Sequence, residues 1–152
     1  MKAFALGLAA GVLLAATAAH APLAWAVDNL TSKDAPDLAS VRAKIKAKDY
    51  KGAITELTPM LVTNQHADVY NLMAFSLRKT GDYKQAYTFY KKALDFDPQH
   101  KGALEYLGEL YVETGQVEKA KENVALLQKI CPAGCEELED LQEAIAQAPK
   151  TN

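Results

Sequence analysis

Cys131 and Cys135 are the side chains of this 152-residue chain whose spacing most restricts their chemistry. They bracket Pro132-Ala133-Gly134 in the run CPAGCEE. An even cysteine count in an exported chain points first to a disulfide. A Pro-Ala-Gly turn can bring two Cα atoms within the ~4.4–6.8 Å that a bridge requires, although so short a loop gains little from chain entropy. Two other chemistries use the same sulfurs. A thiol at a helix N-terminus has its pKa lowered by the helix dipole, which would suit Cys135 to redox work. The usual oxidoreductase motif, however, spaces its cysteines by two residues within a βαβ context, and neither feature is present. Two thiolates also suit a soft ion such as Cu(I); the adjacent Glu136 and Glu137 suit harder ones. A structural bridge is the first reading, with thiol-redox or copper handling as the alternative.

The histidines carry less. His66 and His100 fall in turns 34 residues apart. Packed helices stand ~8–10 Å apart, so exposed turn histidines are expected rather than a shared metal. There is no nucleophile elbow, phosphate loop or HExxH sequence, and the acid pairs fall on helix faces, where solvation is the default. Neither catalysis nor a metal or cofactor is expected.

The N-terminus places these residues in a compartment. Lys2 precedes an Ala/Leu-rich, uncharged run from Phe4 to Ala19, and Ala24-Trp25-Ala26 matches the small-x-small pattern of a cleavage site. A signal peptide over residues 1–26 is expected. The run is shorter than the ~20 residues of a spanning helix, so no membrane attachment is expected after cleavage. The mature chain would be periplasmic, where disulfides persist. Cleavage removes one of 17 basic residues and none of the 19 acidic ones, which leaves a net charge of −3. That balance argues against nucleic acid as a partner.

The elements that must position these side chains are helices. Residues 67–100 read as two amphipathic helices: Tyr70, Met73, Ala74 and Leu77 mark one apolar stripe and Ala86, Phe89, Tyr90, Ala93 and Leu94 the next. Gly81 ends the first, Asp82 caps the second and Pro98 stops it. Leu104, Leu107, Gly108, Tyr111, Gly115, Ala120, Val124, Leu127 and Pro132 repeat nine of these features 34 residues on. The pattern resembles the tetratricopeptide repeat, whose small residues at the eighth and twentieth positions let paired helices approach. Those pairs would be Ala74 with Ala86 and Gly108 with Ala120.

The resemblance implies an all-α fold, a short solenoid of about seven antiparallel helices. After a flexible leader, 27–36, the repeat domain spans 37–148. It comprises a degenerate repeat over 37–66, full repeats over 67–100 and 101–134, a capping helix over 135–148, and a tail over 149–152. In the degenerate repeat Lys48 replaces the helix-ending Gly, and Pro59 should kink or shorten the second helix. The polar face of the last helix suits a solenoid end.

In the tetratricopeptide family the first helices of successive repeats line a concave groove that holds a peptide or a partner helix. Carried onto this chain, the groove positions include Asn71, Phe75, Arg78, Glu105, Tyr106, Glu109 and Glu113, with Glu139 from the capping helix. The carboxylate clamp found in some members is not carried over, because Glu105 and Glu109 stand where it would need neutral or basic groups. A partly acidic groove of this kind would favour a basic partner, with Phe75 and Tyr106 as anchors. Residues 101–152 hold five basic and ten acidic side chains and residues 27–66 six and five, so weak head-to-tail self-association is a further expectation. The CPAGCEELEDLQEAI ending resembles that of small exported proteobacterial repeat proteins. The expected function is that of a periplasmic adaptor or assembly factor.

Overall fold

Apolar spacings of three and four yield seven helices and no strand among the residues that the computed structural model describes, 35–149. They are α1 (Ala39–Lys46), α2 (Tyr50–Thr63), α3 (Ala67–Lys79), α4 (Tyr83–Phe96), α5 (Lys101–Glu113), α6 (Val117–Ile130) and α7 (Glu136–Ala146). The proposed signal segment and most of the leader lie outside the described residues. None of the described helices is long and apolar enough to cross a membrane.

The turn inside each repeat is set by local chemistry. Gly81 and Gly115 follow α3 and α5 with φ of +87° and +75°, a conformation that costs a residue without Cβ nothing. Lys48 adopts the same conformation after α1, at φ +59°, so the degenerate repeat keeps the turn and bears the strain of a side chain there. Asp49 and Asp82 then cap the following helices, accepting from the Gly52 and Gln85 amides at 2.9 and 3.1 Å. Gln116 makes no side-chain cap bond at the third such position.

Each helix packs on its sequence neighbours, and α7 packs on both α5 and α6. Ala53, Ala86 and Ala120 stand fully buried in the second helix of each pair. One cluster runs from Val41 of α1 through Leu57, Met73, Ala74 and Tyr90 to Leu107 and Leu110. A second joins Leu104, Ala120 and Leu127 to Leu138 and Leu141 of α7.

One expectation needs correction and another is extended. Pro59 lies inside α2 without shortening it, since α2 has 14 residues like α4 and α6. Burial of Leu57 and partial burial of Met60 and Leu61 hold the last turn against the lost backbone bond. Gly108 also makes room for α7: the first atoms a Cβ there would meet are Leu141 Cδ1 and Cδ2, at 2.5 and 2.6 Å.

Candidate functional site

Side chains from α1, α3, α5 and α7 line three adjoining concavities. The first, about 230 Å³, lies among Arg42, Ile45, Lys46, Leu72, Phe75 and Tyr106. It shares Arg42, Leu72 and Tyr106 with a second of about 280 Å³, which reaches Asn71, Glu105 and Asp140. A third, about 230 Å³, is bounded by Glu109, Asp140, Glu143, Ala144 and Gln147. The face is therefore basic where α1 borders it and acidic along α7.

Phe75 and Tyr106 come together at its centre. Their rings tilt against each other with centroids 4.8 Å apart, and Tyr50 meets Phe75 edge-on with centroids 6.2 Å apart. Both anchors are half-buried, which leaves part of each ring on the concave surface. Burial pushes the Tyr106 hydroxyl up to about 12, with Glu105 and Glu109 adding to the effect.

Three of the polar residues assigned to the groove form its floor. The Arg78 side chain is 1% exposed and donates to Glu109 and, at 3.0 Å, to Glu113. Burial opposes its charge, but Tyr90, Glu109 and Glu113 outweigh it, so the guanidinium is held more firmly protonated than usual. Its charge is thereby matched inside the fold. Asn71 is 5% exposed and its Oδ1 has no hydrogen-bond partner. Glu105 is 6% exposed. Burial raises its carboxyl to about 8, with Glu109, Asp140 and Glu137 adding to the rise and Arg78 opposing it. Glu139 is exposed and lines none of the three concavities; Asp140 and Glu143 take that face of α7.

A tetratricopeptide repeat profile matches residues 77–145, less than half of the chain. Among solved structures, the type III secretion translocator chaperone SycD of Yersinia enterocolitica, in an alternative dimer, is similar with a TM-score of 0.62. The match covers 77% of this chain and 92% of that one at 13% identity. The fold is a tetratricopeptide-type α-solenoid. At that identity the likeness to SycD concerns the fold alone. No curated protein sequence matches the chain.

In this solenoid the histidines are not exposed turn residues. His66 and His100 are the N-caps of α3 and α5, accepting through Nδ1 from the Asp68 and Ala103 amides at 3.2 and 3.0 Å. The capping role turns the rings inward, and the His100 side chain is 15% exposed. With Nδ1 accepting, His100 Nε2 donates to the Asp68 carboxylate at 3.2 Å. Arg42 approaches the same carboxylate at 3.5 Å. The His100 hydrogen bond is the main reason that Asp68 is held below the usual carboxylate range. The 34-residue spacing of the two histidines, each just before a helix, was the available signal for paired caps.

The cysteines stand at the far end from α1. Cys131 closes α6 and Cys135 precedes α7 as its N-cap. Their sulfurs lie at disulfide-bonding distance, with Cα atoms 6.0 Å apart, inside the range a bridge needs.

Proposed function

We propose that this is an exported, periplasmic tetratricopeptide protein that holds a segment of another protein across the α1–α3–α5–α7 face, as a non-enzymatic adaptor or assembly factor. The observation that carries the reading is the half-buried Phe75–Tyr106 pair at the centre of a concave surface. Aromatic anchors in partly desolvated pockets are where protein interfaces concentrate their binding energy. The uneven charge on either side, Arg42 and Lys46 against Asp140 and Glu143, gives a bound segment a preferred direction and favours basic residues near α7. The signal-like N-terminus and the CPAGCEE ending, which resembles that of small exported repeat proteins, support the location.

The test uses charge reversal at the two ends of the face, Lys46→Glu with Glu143→Lys, both exposed. Immobilised wild-type protein should retain discrete partners from periplasmic extract, and the double variant should lose them while keeping the wild-type melting temperature. Equal retention by both rules out this face. N-terminal mass analysis of the exported protein should find Val27 first.

A further inference from the structure

We propose that the cavity between α3, α5 and α7 is a pocket for one lysine ammonium group of the bound partner, held by Glu105, Asp140 and Asn71. The proposal rests on the groove being the binding face and names what its floor recognises.

Charge matching around the cavity is incomplete in a specific way. Asp68 is engaged by His100 and Arg42, Glu137 by Lys101 at 3.3 Å, and Glu109 by Arg78. Glu105 and Asp140, which line the cavity from α5 and α7, form no ion pair among the described residues. Asn71 lines it from α3. It is about 95% buried, yet its Oδ1 accepts no hydrogen bond. A buried acceptor without a donor costs about 1–3 kcal/mol, and an unpaired buried carboxylate costs more unless it takes up a proton. Two carboxyl groups without an ion-pair partner and one buried amide, from three helices, thus line the same space.

Gly102 keeps that space open. A Cβ there would stand 3.3 Å from Asn71 Nδ2, so the missing side chain leaves the amide reachable from the cavity. Rotation about the last bond of Asn71 then presents its carbonyl oxygen. The volume, about 280 Å³, lies below the ~300–1,000 Å³ of sites for whole small molecules and suits one side chain entering from the groove. No group of three His, Cys, Asp or Glu among the described residues is placed to hold a metal ion. An ammonium carries three donors on a compact centre, whereas guanidinium donors lie in one plane and call for acceptors set side by side.

Entry of the ammonium moves one proton. The charged groups facing Glu105 are Arg78 from α3, Glu109 from its own helix, and Glu137 and Asp140 from α7. Arg42 and His100 lie across the cavity on Asp68, Tyr106 lines it beside Glu105, and Glu136 lines it from α7. Burial first, then the three acids, raise the Glu105 carboxyl to about 8 against the opposing Arg78, which leaves it mainly protonated at neutral pH. On binding, that proton leaves to solvent and the carboxylate pairs with the incoming ammonium, so affinity rises with pH.

The test titrates purified protein with the capped pentapeptide Gly-Gly-Lys-Gly-Gly and its arginine and Nε-acetyllysine versions, followed by NMR at the Asn71 side-chain amide. The lysine peptide should shift that signal, with affinity about tenfold higher at pH 8 than at pH 6. Glu105→Gln should weaken binding at pH 8 by about tenfold and remove the pH dependence, and the acetylated peptide should be silent. Glu139→Gln, outside the cavity, should bind as wild type. An unmoved Asn71 signal, equal binding by Glu105→Gln, or tighter binding of the arginine peptide overturns the pocket. Partner retention that depends on Lys46 and Glu143 but survives Glu105→Gln overturns the pocket and leaves the groove standing. Retention indifferent to Lys46 and Glu143 overturns the groove itself.

Discussion

Replacing Gly108 by Ala tests how α7 is seated. The added Cβ would lie 2.5, 2.6 and 3.1 Å from Leu141 Cδ1, Cδ2 and Cγ, where ordinary contact begins near 3.4 Å. Leu141 is fully buried between α5 and α6, so it cannot swing into solvent, and α7 must move outward by about an ångström. Overpacking of this kind costs roughly 1–3 kcal/mol. Against it stands the better helix propensity of Ala, about 1 kcal/mol. The net expectation is a loss of about 1 kcal/mol, or ~4 °C in melting temperature for a domain of this size. Truncating Leu141 removes the obstacle, so the same Gly108→Ala change in a Leu141→Ala background should stabilise by about 1 kcal/mol. A double-mutant cycle from urea unfolding should therefore give a coupling of about 2 kcal/mol. If Gly108→Ala stabilises equally in both backgrounds, the two residues do not touch and the described seating of α7 is wrong.

Lys48→Gly should stabilise the protein by about 1 kcal/mol, because it relieves a left-handed side-chain residue; urea unfolding that shows no gain would place that turn elsewhere. The raised Glu105 carboxyl means that the folded chain binds this proton more tightly than the unfolded one. Its stabilising contribution is complete below the ordinary glutamate pKa and is lost as pH rises through about 8. Melting temperature should fall across pH 5–8 and Glu105→Gln should flatten that slope; an unchanged slope assigns it to other groups. Exported protein, unfolded and titrated with a thiol reagent, should show no free thiol, and Cys131→Ser with Cys135→Ser should cost about 2 kcal/mol. Two reactive thiols, or copper bound stoichiometrically, would favour thiol chemistry instead.

The helices, their number and their turns were legible because the signals are local. Gly81 and Gly115 fix the turns and Asp49 and Asp82 the caps, and Lys48 could be recognised as a glycine substitute from its place before Asp49. Helical periodicity gives an angle around the axis but not a depth. The resemblance to the tetratricopeptide repeat implied that Asn71, Arg78 and Glu105 lie on the concave side, without showing that neighbouring helices cover them, or that Arg78 would be matched by Glu109 and Glu113. One residue along a helix is a rotation of 100°, which is why Glu139 lines none of the concavities while Asp140 does. The apolar triplet Leu138, Leu141 and Ile145 held the information to choose between them. The contact of Gly108 with Leu141 joins helices separated by a whole element, and no spacing rule reaches across α6.

The cysteine pair has a mechanical consequence. Joined as a disulfide, Cys131 and Cys135 would tie the first turn of α7 to the end of α6, while Leu141 seated over Gly108 holds it midway along its length to α5. A rod fastened at two separated points to two different supports cannot pivot. The acidic wall formed by Asp140 and Glu143 is thus a fixed jaw, with its distance from Tyr106 set when the chain folds and oxidises. Cutting the bond between the sulfurs would leave α7 held by packing alone, through Leu138 and Leu141 against α5 and α6, and the jaw would loosen at its N-terminal end.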